Sequence, residues 1–443
     1  MKKTIILLSA IFLFTNSFVA QEKKDISNDS IQKSLTDLKK AVDVIKKLKI
    51  SGWIQAQVQF ADSAGQQSFD GGNFATNNDK RFMIRRGRIR FAYENQHSMY
   101  VLQVNLTERG INVADIFAKV TDPWTKWVSL QVGLMNRPFG FEVQQSSADR
   151  ETPERSRYTQ TLLQNERDMG GMIIIEAPKK SKLFGLKIAG GFFNGPGIPS
   201  NGDYNNPTAG KIFVNDYDVY KDFIGRVNYA KSLKEDKVKF GVGVSYYNGA
   251  IRQSNNIIYQ KTTTDTTGML KWQASDTTNA ILRGKGAGKI YYGADAQVSV
   301  KSVIGTSTLR LEYMMGQQPG TSTSSVSQAF EQSGATYIRN FSAYSAVFVQ
   351  RIAKTKHEIA FKYSVYDPNT MVSASDIGKP GSLFTATDVA YTDMGFGYIN
   401  YFNDHIKFMI YYNVVTNEST KNLSKYSKDL KDNVLTLRMQ MRF

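Results

Sequence analysis

Sixteen short segments of this chain alternate apolar and polar residues, and the gaps between them alternate long and short. The segments start near residues 50, 82, 98, 111, 126, 169, 183, 219, 236, 287, 304, 338, 355, 390, 404 and 433. In "ISGWIQAQVQF", Ile50, Gly52, Ile54, Ala56, Val58 and Phe60 share one set of positions. Ser51, Trp53, Gln55, Gln57 and Gln59 share the other. Successive strand residues point to opposite faces, so such a strand has one apolar and one polar face. The final "NVLTLRMQMRF" repeats the pattern, with Leu435, Leu437, Met439, Met441 and Phe443 opposite Arg438, Gln440 and Arg442.

The sorting of the gaps decides the architecture. Long connections occupy about 61–81, 135–168, 194–218, 249–286, 317–337, 367–389 and 416–432, with tight turns between them. Only the connection near Arg109 is short where a long one is due. A soluble sandwich has no reason to sort its loops by parity. A transmembrane barrel does, with loops outside the cell and turns in the periplasm, and segments of about 9–12 residues cross a bilayer when tilted. Closure also leaves no unpaired strand edge in hydrocarbon. The expected fold is therefore all-β: an antiparallel barrel of about 16 strands over 50–443, its last strand paired with its first. Lipid would bury the apolar face, and a water-filled lumen would solvate the polar one.

The N-terminal "MKKTIILLSAIFLFTNSFVA" has two lysines, an apolar run from Ile5 to Phe14 and a more polar end at Ala20. It reads as a secretory signal peptide, residues 1–20, too short in its apolar part to span a membrane. Residues 21–49 have a texture unlike that of the strands. Ile31, Leu35, Leu38, Val42 and Ile45 are spaced four, three, four, three, an a/d heptad seam with charges outside it. Such a helix packs either on its own domain or on copies of itself. The strict spacing and charged surround favour a short oligomerising coiled coil in the periplasm, although two heptads are marginal alone.

The net charge of +17 suits anionic partners, and the absence of cysteine suits a compartment where disulfides are either catalysed or avoided. Nucleic acid fits that charge but not a secreted chain, and no Gly-rich phosphate loop or zinc spacing occurs. Enzymatic chemistry needs a nucleophile, base and orienting acid within reach. His97, His357 and His405 all sit at turns or strand ends, without a serine motif beside them. Asp216, Asp218 and Asp222 in "NDYDVYKD" could ligate calcium, but a solvated loop explains them better. No cofactor is indicated.

Three stretches carry a resemblance: "RRGRIRFAYEN", "ADIFAKV" and "WVSLQVGLMNRPFGFEVQQSSADRETPERS". They resemble the first third of the phosphate-selective porin family of the O and P type. The V-G-x-x-x-x-P-F-G element is Val132, Gly133, Pro138, Phe139 and Gly140, and Glu154, Arg155 and Ser156 match its E-R-S element. The resemblance implies a sixteen-stranded homotrimeric porin of a Gram-negative outer membrane. Its third long loop, here 135–168, would fold into the lumen and constrict it. It further implies that the assembly machinery reads the terminal strand ending at Phe443.

In "MIRRGRIRFAY", an apolar face of Met83, Gly87, Ile89, Phe91 and Tyr93 leaves Arg86, Arg88 and Arg90 in the lumen, with Arg85 on the lipid side. That ladder would run about 13 Å, with Arg438 and Arg442 nearby. Lys119, Lys187, Arg226, Lys239, Arg310, Lys362 and Lys407 are further lumen bases, against Glu94, Asp115, Asp222, Asp295 and Glu312. A basic wall in a confined pore concentrates anions. The loop itself is balanced: Arg137, Arg150, Arg155, Arg157 and Arg167 face Glu142, Asp149, Glu151, Glu154, Glu166 and Asp168. The expected function is passive diffusion of small hydrophilic solutes with a preference for anions such as phosphate. A general or oligosaccharide-admitting porin, and a barrel serving mainly as surface adhesin or anchor, remain alternatives.

Overall fold

A computed structural model describes residues 28–164, 166–197, 216, 218–233, 235–253, 257–275, 284–327 and 334–443. The expected signal peptide, 1–20, lies outside them. The chain divides into two compact units at Leu48. The first holds helix α1, Asn28–Lys47. Leu35, Leu38, Val42 and Ile45 are all exposed along it.

The second unit is a ring of sixteen strands closed on itself. Its first half comprises β1 Leu48–Ala61, β2 Lys80–Asn95, β3 Ser98–Thr107, β4 Gly110–Thr121 and β5 Val128–Asn136. Next come β6 Arg167–Glu176, β7 Leu186–Phe193, β8 Asp222–Leu233 and β9 Val238–Arg252. A small hairpin, β10 Ile258–Thr264 and β11 Leu270–Ala274, leaves the ring within a long loop. The ring resumes with β12 Gly286–Ser302, β13 Gly305–Gly320, β14 Thr336–Ile352 and β15 His357–Asp367. It ends with β16 Tyr391–Tyr401, β17 Ile406–Asn417 and β18 Val434–Arg442.

Neighbours around the ring are antiparallel and consecutive, except that β9 pairs β12 across the excursion. Closure joins β1 to β18, from Trp53 opposite Arg442 to Ala61 opposite Val434. Alternation decides which side chains face out. Along β9, Val242, Val244 and Tyr246 are exposed on the outer face, whereas Ser245 and Tyr247 are buried inside.

The interior is the unexpected part. Met172, Ile174, Phe193, Ile224, Tyr247, Tyr291, Met314, Phe341 and Tyr366 point inward from the wall and form one apolar core with Met135, Phe139, Val143, Tyr158, Leu162 and Leu163. Here the lumen is packed rather than water-filled, because apolar residues occupy both faces of segments such as "MIIIE".

Candidate functional site

The segment between β5 and β6 supplies the inner partner of that core. Two glycines steer it. Gly133 has φ 133°, and a Cβ there would lie 2.2 Å from the Ile116 carbonyl oxygen. Gly140 has φ 59°, in the left-handed region that glycine adopts without steric cost, and a Cβ there would meet Glu312. The turn drives Phe139 into full burial, its ring edge-on to Tyr247 and Tyr291 at 6.4 and 6.2 Å. The Gly140 N–H donates to Ser245 Oγ at 3.0 Å, and the N–H groups of Phe141 and Glu142 donate to Glu312 Oε2. Two short helices follow, α2 Phe141–Gln144 and α3 Arg157–Leu162. Tyr158 on α3 reaches Ser345 of β14.

The other face of the segment is held by charge. The Glu154 carboxylate accepts hydrogen bonds from Arg85 at 2.8 and 2.9 Å, Arg86 at 2.8 Å and Arg438 at 2.9 Å. Arg438 also donates to Gln57 and to the Pro153 carbonyl. Glu151 receives both terminal nitrogens of Arg310, at 2.6 and 2.8 Å. Lys362 meets Glu142 at 3.2 Å. Nearer the tight-turn end, Gln55 donates to the Ser147 carbonyl, and Lys407 and Gln440 to that of Ala148. Charge-assisted and bidentate pairs of this kind fix orientation as well as contributing energy.

The expected site residues separate into groups. Arg86, Arg438 and Arg310 are not a solvated ladder: carboxylates of the segment engage them, and Arg86 and Arg438 are nearly fully buried. Arg226 forms a bidentate pair with Asp295 inside the wall. Arg442 lies exposed at its strand end, donating to the Asp404 carbonyl and facing Asp149 at 3.4 Å. Arg88 and Arg90 are half-buried and have no ion pair among the described residues, Arg88 standing 5.7 Å over the Trp53 ring.

Arg85, placed on the lipid side by strict alternation, faces inward. Met83 and both Arg85 and Arg86 point into the lumen, since Met83 Sδ accepts from Gln57 and both arginines bind Glu154, while Ile84 stays outside. With Arg85 and Arg86 adjacent and both turned inward, strict alternation breaks between them.

Within the segment, Arg155 donates to the carbonyls of Glu142, Val143 and Gln145 and pairs with Glu166. Arg157 lies over the rings of Phe69 and Tyr391, 3.8 Å from Asp393. Arg137 is fully buried and donates to the Gln164 carbonyl. Arg150 is also buried, and none of its three side-chain nitrogens has a hydrogen-bond partner among the described residues. Glu312, read only as a lumen acid, is the residue that holds the turn at Gly140. Asp222 is buried against Lys289 and Tyr247, and Asp216 meets Lys221. Among the described residues no metal-ligating group of three comes together.

Above this network lies a cavity of about 1150 Å³. Its lining holds Arg85, Arg86, Arg88, Arg109, Arg155, Arg157, Arg167, Lys425 and Lys431, against Glu108, Glu154, Glu166 and Asp432. Most of these acids already face arginines, so the free charge is positive. Two loop carboxyls titrate nearby. Burial pushes Asp432, despite Arg157, up to about 7. Burial and the charges of Asp393 and Glu154 push Asp70 up to about 6.

Solved structures share this architecture. OprB of Pseudomonas putida, in its high-pH structure, superposes with a TM-score of 0.56 at 11% identity, covering 91% of this chain and 96% of that one. The fold is that of outer-membrane porins. The outer-membrane channel DcaP of Acinetobacter baumannii matches at a TM-score of 0.49 and 9% identity, over 89% of this chain and 97% of that one. No protein-family model matches the chain, and no curated protein matches it in sequence.

Proposed function

We propose that this protein is an outer-membrane porin of a Gram-negative bacterium, passing small hydrophilic solutes passively with a preference for anions, phosphate included. The observation that carries this reading is the cavity lining, nine basic residues against four acidic. A confined wall with excess positive charge raises local anion concentration and repels cations. The segment 135–168 acts as the constriction, because its carboxylates clasp the wall and leave the space beside β2–β4. After removal of the signal peptide, α1 extends in the periplasm, where its exposed seam joins a homotrimer as a coiled coil. Tethering to adjacent barrels raises effective concentration enough for a short helix.

The test is single-channel current across a planar bilayer with a salt gradient. An anion-selective reversal potential is expected, moving toward cation preference when Arg88 and Arg90 become glutamine. An ohmic channel with cation preference would sink the anion reading. One observation favours a second reading. The long loops outside are themselves packed, with the Arg339–Asp388 pair fully buried and Trp272, Tyr337 and Phe384 clustered, as suits a barrel used as a surface platform. A barrel that carries no current would support it.

A further inference from the structure

The basic residues of the cavity are not equally available. Arg85 and Arg86 bind Glu154, Arg167 binds Asp115 and Glu166, Arg155 binds Glu166, and Arg157 sits against Asp393. Arg88, Lys425 and Lys431 have no carboxylate within ion-pair distance among the described residues. Arg109 meets only its neighbour Glu108, at 3.6 Å and in water. The available charge thus stands at three separate places. Arg88 is on β2, deep in the wall. Arg109 is at the rim in the turn joining β3 to β4. Lys425 and Lys431 are in the loop that leads into β18.

The ring order β18, β1, β2, β3 sets the distance between the two rims. At about 4.8 Å per strand they are roughly 15 Å apart. An inorganic phosphate can touch one of these places at a time. A solute with charges spread along its length can touch two. Between the rims, the loop after β1 contributes only uncharged groups to the lining, with Gln66, Gln67, Ser68 and Asn73 able to hydrogen-bond. The Gln66 Oε1 atom is buried there without a partner among the described residues. Amides and hydroxyls of this kind match a hydroxyl-bearing body. The volume, about 1150 Å³, slightly exceeds the range of about 300–1,000 Å³ common for pockets that hold organic ligands, leaving room for a solute longer than one sugar.

We infer that the vestibule selects elongated organic polyanions, specifically acidic oligosaccharides of two or more sugars, over inorganic phosphate. The inference rests on the porin reading above and names its solute. One carboxylate engages Arg109 while another engages Lys425 or Lys431, and Arg88 receives the leading charge as the solute descends. Contact at two places converts the second into an intramolecular event, which is where the preference over a single-charge anion arises.

The test is block of chloride current through the full chain in a planar bilayer. The blockers are trigalacturonate, galacturonate, maltotriose and inorganic phosphate. Trigalacturonate is expected to half-block at a concentration roughly tenfold or more below that of galacturonate or phosphate, as two-point attachment requires. Maltotriose, of equal length and no charge, should leave the current unchanged. The double variant R109Q/K431Q should bring trigalacturonate close to galacturonate, with folding checked by heat-modified gel migration. Phosphate blocking as tightly as the trimer, or maltotriose blocking as well as it, overturns the inference while leaving the porin reading intact. So does an unchanged trigalacturonate block in the double variant. A barrel that conducts no chloride overturns the porin reading itself, and the inference with it.

Discussion

The two sides of the barrel interior hold the same segment by largely different physics, although Arg310 on β13 and Lys362 on β15 also pair with its Glu151 and Glu142. Toward β6–β9 and β12–β15 the wall offers Ile174, Ile224, Phe193, Tyr291 and Phe341, and the segment answers with Phe139, Val143, Tyr158 and Leu162. Toward β1, β2, β17 and β18 the wall offers Arg86, Arg438, Lys407 and Gln440, and the segment answers with Glu154 and backbone carbonyls. Apolar packing is non-directional and scales with area, so it supplies the bulk of the adhesion. Buried ion pairs add little net energy relative to a well-packed apolar alternative, yet breaking one is costly. The first side therefore keeps the segment in the lumen, and the second fixes where it stands there. Basic residues that read as a path for anions serve largely to position the segment.

Removing the segment should break the comparison most completely. Deletion of Val143 to Gln164 should raise single-channel conductance severalfold and weaken selectivity. It should also lower the melting temperature, because Ile174, Ile224 and Phe341 then face water. Unchanged conductance would mean that the segment does not lie in the solute's path. Next in size is Phe139→Ala on the apolar side, expected to cost about 4 kcal/mol of docking stability as a cavity opens beside Tyr247 and Tyr291. Urea titration with limited proteolysis near Arg155 as readout checks it.

Glu154→Gln on the charged side should cost somewhat less, about 3 kcal/mol, since Arg85 can turn its guanidinium toward the cavity. Its signature is flickering current rather than loss of the fold. Equal flicker in Phe139→Ala would remove the division between holding and positioning. A smaller effect follows from Asp432 and Asp70, with values of about 7 and 6. Raising the pH from 5 to 8 deprotonates both and adds negative charge at the cavity, so anion preference should decline across that range. Both groups in the native state keep protons that carboxyls of ordinary value 3.8 would have released. The loops carrying them should therefore be more stable at pH 5 than at pH 8. A reversal potential flat with pH would exclude these acids from the solute's path. The smallest change to the barrel is expected outside both sides. Leu38→Asp with Val42→Asp should loosen the oligomer in mild detergent while the barrel's heat resistance stays as it was. An unaltered oligomer would count against the coiled coil.

The ring itself was legible to within three residues at every strand start, from Leu48 against an expected 50 to Asp222 against 219. Period-two alternation and loop length are local signals, and a barrel is built almost wholly from them. What fills the lumen is not local. Ile174 and Ile224 look like any strand residue until a second apolar surface is known to face them. A hint for Ile174 lay in "MIIIE", where both faces are apolar; Ile224 sits between Asp222 and Arg226 on its face and gave none. Glu154 and Arg438 lie 284 residues apart, and no spacing rule joins them. The resemblance to the phosphate-selective family pointed to the segment 135–168, but not to how its acids and bases divide. At Arg85 the alternation failed because Arg85 and Arg86 both turn inward to Glu154, a partner 68 or more residues away that local pattern does not reveal.

The closure of β18 onto β1 has a consequence for the order of events during biogenesis. Gln55 on β1 and Gln440 on β18 bond to each other, and each also grips the 147–148 stretch of the segment. Glu154 likewise joins Arg86 on β2 to Arg438 on β18. These attachments straddle the seam, so they do not exist until it closes. A barrel open at the seam lacks these attachments, and closing it both shuts the cylinder and completes the hold on the segment. Completion of the wall and completion of the segment's attachments to it are thus one event.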